Sequence, residues 1–225
     1  SRANLVSLDS NVGTITVNTG SALDLTGTAA ELTSIVSAVT FSDKINGTVN
    51  DSANLDYSTL NTLLGLSEVR ALTVSNQTDY TETASNANSL VALSVASVTA
   101  DKILFNANSQ ITTSDGNLTN TIIDSIFTDT GGKFTEVVIN HSTTLSGALT
   151  IPASHTLTIN ASKTLTLSAV LTNSGTLSNS GTIVFNASSG LTAAGTTTLG
   201  GTVTISGAST LTATGALSIT NAFNV

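Results

Sequence analysis

Over the C-terminal part of the chain, apolar and polar positions alternate in short bursts. Thr156-Leu157-Thr158-Ile159, Thr164-Leu165-Thr166-Leu167 and Thr202-Val203-Thr204-Ile205 each put aliphatic side chains on one face and threonine on the other. That period of two is the signature of a half-buried strand. The bursts are themselves periodic. Leu171, Leu191 and Leu211 stand twenty residues apart and open near-copies, LTNSG, LTAAG and LTATG, which close on Gly175, Gly195 and Gly215. Ile151 takes the same column one repeat earlier. Further columns run Leu145, Leu165, Phe185, Ile205; then Ile139, Ile159, Asn179, Leu199, Ile219; then Leu157, Leu177, Thr197, Leu217. Gly and Asn-Ser pairs punctuate the strands and supply the corners.

A unit of this size cannot bury its apolar side alone and must stack on its neighbours. The pattern predicts an all-β fold with short helices, a right-handed parallel β-solenoid. Each coil would sit about 4.8 Å above the last, with leucine stacked on leucine inside and threonine on threonine outside. A β-sandwich also has short strands at even spacing, but gives no reason for a fixed register of twenty.

The N-terminal part mixes periods. Gly27 to Val36 reads as a short helix, with Leu32, Ile35 and Val36 on one face and Thr28 and Glu31 spaced as a capping box. Ser58 to Leu64 reads likewise, with Asp56 or Ser58 as N-cap and Gly65 as the stop, and Asn120 to Phe127 is a third. Strand-like runs lie between them at Gly13–Val17, Ala71–Val74 and Lys102–Phe105, while Asn88 to Val98 fits neither period. Residues 1–130 are therefore expected to form helix-bearing coils and residues 131–225 regular coils of about twenty residues, continuous with the first part because no linker separates them.

LTGTAAEL (Leu25–Leu32), STLNTLLG (Ser58–Gly65) and the strand LTV (Leu72–Val74) resemble the helix-bearing repeats of very large bacterial surface proteins, the adhesin-like and surface-layer-like chains of cyanobacteria and other Gram-negative bacteria. The resemblance spans residues 20–105, with diverged copies and irregular spacing. It implies an extracellular structural or adhesive role rather than an activity.

Composition narrows the function classes. Only 9% of residues are charged while 40% are hydrophobic, which is not the balance of a disordered chain. The net charge of −8 argues against a nucleic-acid partner and against an anionic membrane surface. No apolar run approaches the roughly 18 residues of a membrane span, so no membrane insertion is expected. Cysteine is absent, which removes disulfides, thiolate catalysis and Cys-ligated metals. The chain opens SRANLVSLDS without a signal segment and contains no methionine, as expected of a mature product or a piece cut from a longer chain. Charge is also segregated. The last acidic residue is Glu136, and beyond it Lys163 is the one Lys or Arg.

That distribution leaves little for catalysis. His141 and His155 are the only histidines, and no carboxylate follows them. Both are expected at solvated turns, His155 at a corner where later repeats have glycine, and the chain is not expected to be an enzyme. No cofactor is expected. Asp51, Asp56 and Asp79 sit in oxygen-rich turn-like stretches and are weak calcium candidates. Asn-x-Ser/Thr sequons begin at Asn46, Asn50, Asn76, Asn117, Asn140, Asn160 and Asn186, a number that the abundance of Ser and Thr explains by itself. Thr156, Thr158, Thr176, Thr196 and Thr198 share two columns. Their spacing resembles the ladder of ice-binding solenoids, although threonine is also an ordinary strand residue.

The function expected is that of a non-enzymatic extracellular or cell-surface structural protein, a self-assembling surface-layer or filament subunit. Its partner is itself, as a head-to-tail homopolymer through Leu217, Ile219 and Phe223 at one end and Leu5 and Val6 at the other. The alternatives are an adhesin stalk or tip binding a cell-surface glycan, and ice binding through the threonine ladder.

Overall fold

A computed structural model describes residues 15–17, 23–53, 55–221 and 223–224. Its elements in chain order are β1 (Ile15–Val17), β2 (Asp24–Gly27), α1 (Ala29–Ala38), β3 (Val39–Phe41), β4 (Ile45–Val49), α2 (Tyr57–Leu64), β5 (Val69–Val74), β6 (Asp79–Glu82), α3 (Ala84–Leu93), β7 (Ser94–Val95), β8 (Ile103–Phe105), β9 (Ser109–Thr113) and α4 (Asn120–Phe127). Strands alone follow: β10 (Phe134–Ile139), β11 (Thr143–Leu145), β12 (Leu149–Ile151), β13 (Thr156–Ile159), β14 (Thr164–Leu167), β15 (Val170–Asn173), β16 (Thr176–Asn179), β17 (Thr182–Phe185), β18 (Gly190–Ala193), β19 (Thr196–Leu199), β20 (Thr202–Ile205), β21 (Thr210–Ala213), β22 (Leu217–Ile219) and β23 (Phe223–Asn224). The chain forms two compact units. The first takes in residues up to Tyr80 with Ala92–Asn108 and Thr130–Lys133. The second comprises Thr81–Val91, Ser109–Asp129 and Phe134–Val225.

The first unit holds a parallel sheet in the order β2-β4-β5-β8-β7 and the short pair β1-β3. Its helices follow from their caps. Thr28 and Glu31 close a full capping box on α1, with Glu31 N–H on Thr28 Oγ1 at 3.2 Å and Thr28 N–H on Glu31 Oε2 at 3.0 Å. The α1 face that turns inward carries Ala29, Leu32, Ile35 and Val36. Asp56 is the N-cap of α2 and accepts the Thr59 N–H at 2.7 Å. Tyr80 is fully buried, meets Phe105 edge-on with ring centres 5.7 Å apart, and donates its hydroxyl to the Gln77 carbonyl at 3.2 Å.

In the second unit, successive strands visit three sheets in rotation. Their orders are β22-β19-β16-β13-β10-β9-β6, β11-β14-β17-β20-β23 and β12-β15-β18-β21. From β10 onward each strand pairs in parallel with the strand three places later. Inward positions are aliphatic and sealed: Leu157, Ile159, Leu165, Leu177, Ile183 and Leu199 have no exposed surface. The columns 139–159–179–199–219 and 157–177–197–217 are in register, as are 171, 191 and 211.

Two columns are corrected. Ile151 lies opposite Asn173, and the partner of Leu171 is Leu149. Leu145 pairs with Leu167, twenty-two residues on, rather than with Leu165, and Leu167 pairs with Phe185, eighteen on. The fixed spacing of twenty holds in the sheet containing β13 and only on average elsewhere, because the corners differ in length.

Those corners are of two kinds. In the short ones, such as Ala194-Gly195 and Gly200-Gly201, a Cβ on the second residue would overlap a carbonyl oxygen of the repeat before, that of Gly175 for Gly195 and that of Gly181 for Gly201. The turns at Pro152–His155, Asn160–Lys163 and Asn186–Ser189 are two residues longer than their short counterparts. Each of these three carries a left-handed serine, Ser154, Ser162 or Ser188. Each is closed by a backbone bond from the fourth residue to the first, at 3.0–3.2 Å.

The helix α3 falls where the apolar pattern reads as ambiguous. Its buried residues Ala84, Ala87, Leu90 and Val91 repeat the offsets of Ala29, Leu32, Ile35 and Val36 in α1. The stretch Thr81 to Val91 lies over Thr26 to Val36 in the same way. Likewise Leu118, Ile123 and Ile126 around α4 repeat the offsets of Leu55, Leu60 and Leu63 around α2.

Candidate functional site

The candidate chemistry is dispersed into structural duties. Asp51 Oδ2 accepts the N–H of Ala29, the first residue of α1, at 2.7 Å. Asp56 caps α2. Asp79 is exposed on β6, and its carbonyl accepts the Gln77 amide at 2.8 Å. No three His, Asp or Glu side chains converge to hold a metal ion among the described residues. His141 is exposed. His155 is half-buried, its ring edge-on to Phe127 at 5.1 Å and its Nδ1 3.0 Å from the Ala153 carbonyl. It stands one residue before the paired Thr156 and Thr176, opposite Gly175, as the repeat places it.

Ionisation follows the same logic. Burial pushes Asp115 up, but the Ala84 N–H, the side-chain amide and N–H of Asn117 and the charge of His141 outweigh it and hold the carboxyl below its usual range. Burial alone pushes Asp124 up, and burial pushes the Tyr80 phenol well above its ordinary value. None of these groups faces a second titratable partner across a cleft. A shallow groove beside α1 and α2 is lined by small and hydroxyl side chains, among them Ala30, Thr33, Ser58 and Thr62, with no ionisable residue.

Threonine forms columns on all three sheets. Thr156, Thr176 and Thr196 are paired in register, beside Thr158, Ser178 and Thr198. Glu136 precedes Thr156 in the first column, and its carboxylate accepts the Thr158 hydroxyl at 2.9 Å. The second sheet stacks Thr164, Thr182 and Thr202. The third stacks Thr150, Thr172, Thr192 and Thr212 without a break. This last column is missed by sequence reasoning, because the turn at Asn186–Ser189 shifts the spacing. Aligning on L-T rather than on a fixed count recovers it.

The strands β21, β22 and β23 stand last in their sheets. There the inward columns open. Leu217 lies over Thr197, Ile219 over Leu199 and Phe223 over Val203. The residues beneath are 0–1% exposed, whereas Leu217, Ile219 and Phe223 are 37%, 39% and 43% exposed. Three large apolar side chains at one end of three sheets form the most apolar exposed patch among the described residues. Leu5 and Val6 lie outside the described residues. Beneath the patch the core is less uniform. Asn173 donates its amide to the Thr196 carbonyl and to the Thr197 hydroxyl, both at 2.9 Å, and Asn179 donates to the Thr202 carbonyl at 3.3 Å.

No helix is long and apolar enough to cross a membrane among the described residues. Comparison with known proteins finds no matching family, no matching curated protein and no matching solved structure.

Proposed function

We propose that the protein is a non-enzymatic structural building block whose three rotating sheets close into a right-handed parallel β-solenoid. It works at the cell surface or outside the cell as a filament or surface-layer subunit, as the resemblance to bacterial surface repeats implies. Growth is head to tail, the last coil of one copy taking the first coil of the next by strand addition.

The observation that carries this reading is the open end. Leu217, Ile219 and Phe223 occupy columns that are sealed in every earlier repeat described, and their strands are the last in their sheets. A further repeat in the same register would cover those side chains and pair the free strand edges at once. The scarcity of charge after Glu136 supports close packing of like on like.

Electron microscopy and sedimentation of the purified chain test it. The expected result is concentration-dependent filaments or sheets, abolished in Leu217→Lys/Ile219→Lys with the circular dichroism unchanged. Polymers that survive both lysines, or a chain that stays monomeric at high concentration, would overturn the stacking. Isolated rods that bind a glycan would favour an adhesin stalk or tip. The threonine columns favour a second reading, adhesion to an ordered hydroxylated surface such as ice. An assay of ice recrystallisation at micromolar protein decides that point.

A further inference from the structure

All four helices have their N-terminal approach held by a side chain that arrives one repeat later. Asp51 follows β4, the strand paired with β2, and holds the Ala29 N–H of α1 at 2.7 Å. Gln77 follows β5, the strand paired with β4. It clasps Leu55, two residues before α2, through both backbone groups, accepting the N–H and donating to the carbonyl at 2.7 Å each. Asp115 follows β9, the neighbour of β6, and holds the Ala84 N–H of α3 at 3.0 Å. Thr143 follows β10, the strand paired with β9. Its hydroxyl lies 3.1 Å from the Gly116 carbonyl and 3.0 Å from that of Leu118, two residues before α4.

The position is constant while the residue type alternates. Aspartate serves the ten-residue helices α1 and α3, and an uncharged group serves the eight-residue helices α2 and α4. Helix N-termini expose N–H groups that need such partners, and a short helix is marginal without them. Gln77 and Thr143 are buried, so neither the clasp nor the carbonyls it satisfies can be replaced by water at no cost.

We propose that these latches are a one-way conformational device. Each helix-bearing repeat is completed by the repeat that follows it, so order passes backward along the chain, from residues near 143 toward residue 29. Disturbing a latch releases the helix before it and leaves the element after it in place. Release of α1 or α3 would uncover an apolar face of four buried side chains. This inference concerns single molecules and is independent of end-to-end stacking.

Hydrogen exchange read by mass spectrometry on the full chain, kept dilute enough to be monomeric, tests it. In Asp115→Ala, amides at the start of α3 should exchange about tenfold faster, the loss expected for a bond to a charged acceptor, while α4 keeps its protection. Asp115→Asn keeps an oxygen for the Ala84 N–H and should restore most of the difference. Thr143→Val, which keeps the shape and removes the hydroxyl, should loosen residues 118–123 and leave 156–159 unchanged, and Thr143→Ser should behave as the parent. Faster exchange in the following element, equal loosening on both sides, or no change at the helices would overturn the device. Should Asp115→Ala fail to fold, the Asn and Val variants carry the same decision.

Discussion

The helix-bearing repeats and the strand-only repeats are held by different means. In residues 134–225 one repeat fits the next by likeness. Strands of equal length pair, side chains stack in columns, and corners are so close that glycine is the residue they admit. In residues 23–127 neighbouring repeats are unlike. Asp24 pairs with Asn46, twenty-two residues on, but Leu72 pairs with Ile103, thirty-one on, and the ladder between β4 and β5 is broken by a shift at Ile45/Asn46. Side chains reaching back to helix N-termini do there what stacked corners do later. The asparagines of the strand-only part reach the other way, from Asn173 to Thr196 and from Asn179 to Thr202. Likeness makes registration cheap where the unit is small, and directed polar contacts are needed where a helix makes the unit variable.

That contrast can be broken at a corner. Gly201→Val is expected to cost about 4 kcal/mol or more in chemical denaturation, because backbone of the repeat before has no room to give. A loss under 1 kcal/mol would mean that the corners are not close-packed. On the helix side, Gln77→Leu removes a buried clasp and strands the N–H and carbonyl of Leu55, for an expected loss of about 2 kcal/mol. An unchanged denaturation midpoint would deny the latches their share.

Acid separates the two regions by composition. No carboxylate follows Glu136, so acid acts on the helix-bearing side. Asp115 is held below its usual range, so its contribution is present above the unfolded-state value and fades as pH falls through the folded one. Asp124 is raised by burial, has the opposite sign and offsets part of the loss. Helical ellipticity should therefore decline below about pH 4 before the strand signal does. Simultaneous loss of both would count against the division. The smallest effect is at the longer corners. Ser162→Gly, at φ 64°, should change stability by no more than about 1 kcal/mol, in the favourable direction, when measured by thermal melting. A loss larger than that would mean the serine hydroxyl, and not the left-handed backbone, holds the turn.

Strand type and the parallel stacking of like residues were legible in the sequence, because period-two alternation and recurring L-T-x-x-G survive any local change. The register was legible in one sheet. In the others it was obscured by two-residue extensions such as Asn160–Lys163, in which the left-handed residue is serine rather than the glycine that usually marks such a turn. The helices α1, α2 and α4 were legible from caps and apolar spacing. The third was not, since Ala84 and Ala87 stand where α1 has Ala29 and Leu32 and weaken the apolar stripe. Of the candidate residues, the open-end trio was legible as the last members of their columns. The roles of Asp51, Gln77, Asp115 and Thr143 were not, because each acts on a backbone group 22 to 31 residues away.

The extended corners also set a rule of counting. Strand faces alternate at every residue, so inserting a single residue would turn an inward leucine outward for the rest of that strand. The observed increments are of two, from Leu145 to Leu167 and from Leu167 to Phe185, and so preserve parity. A lineage of such repeats can lengthen or shorten its corners freely by pairs of residues, and an engineered epitope placed at Ser162 or Ser188 should be tolerated when its length is even and rejected when it is odd.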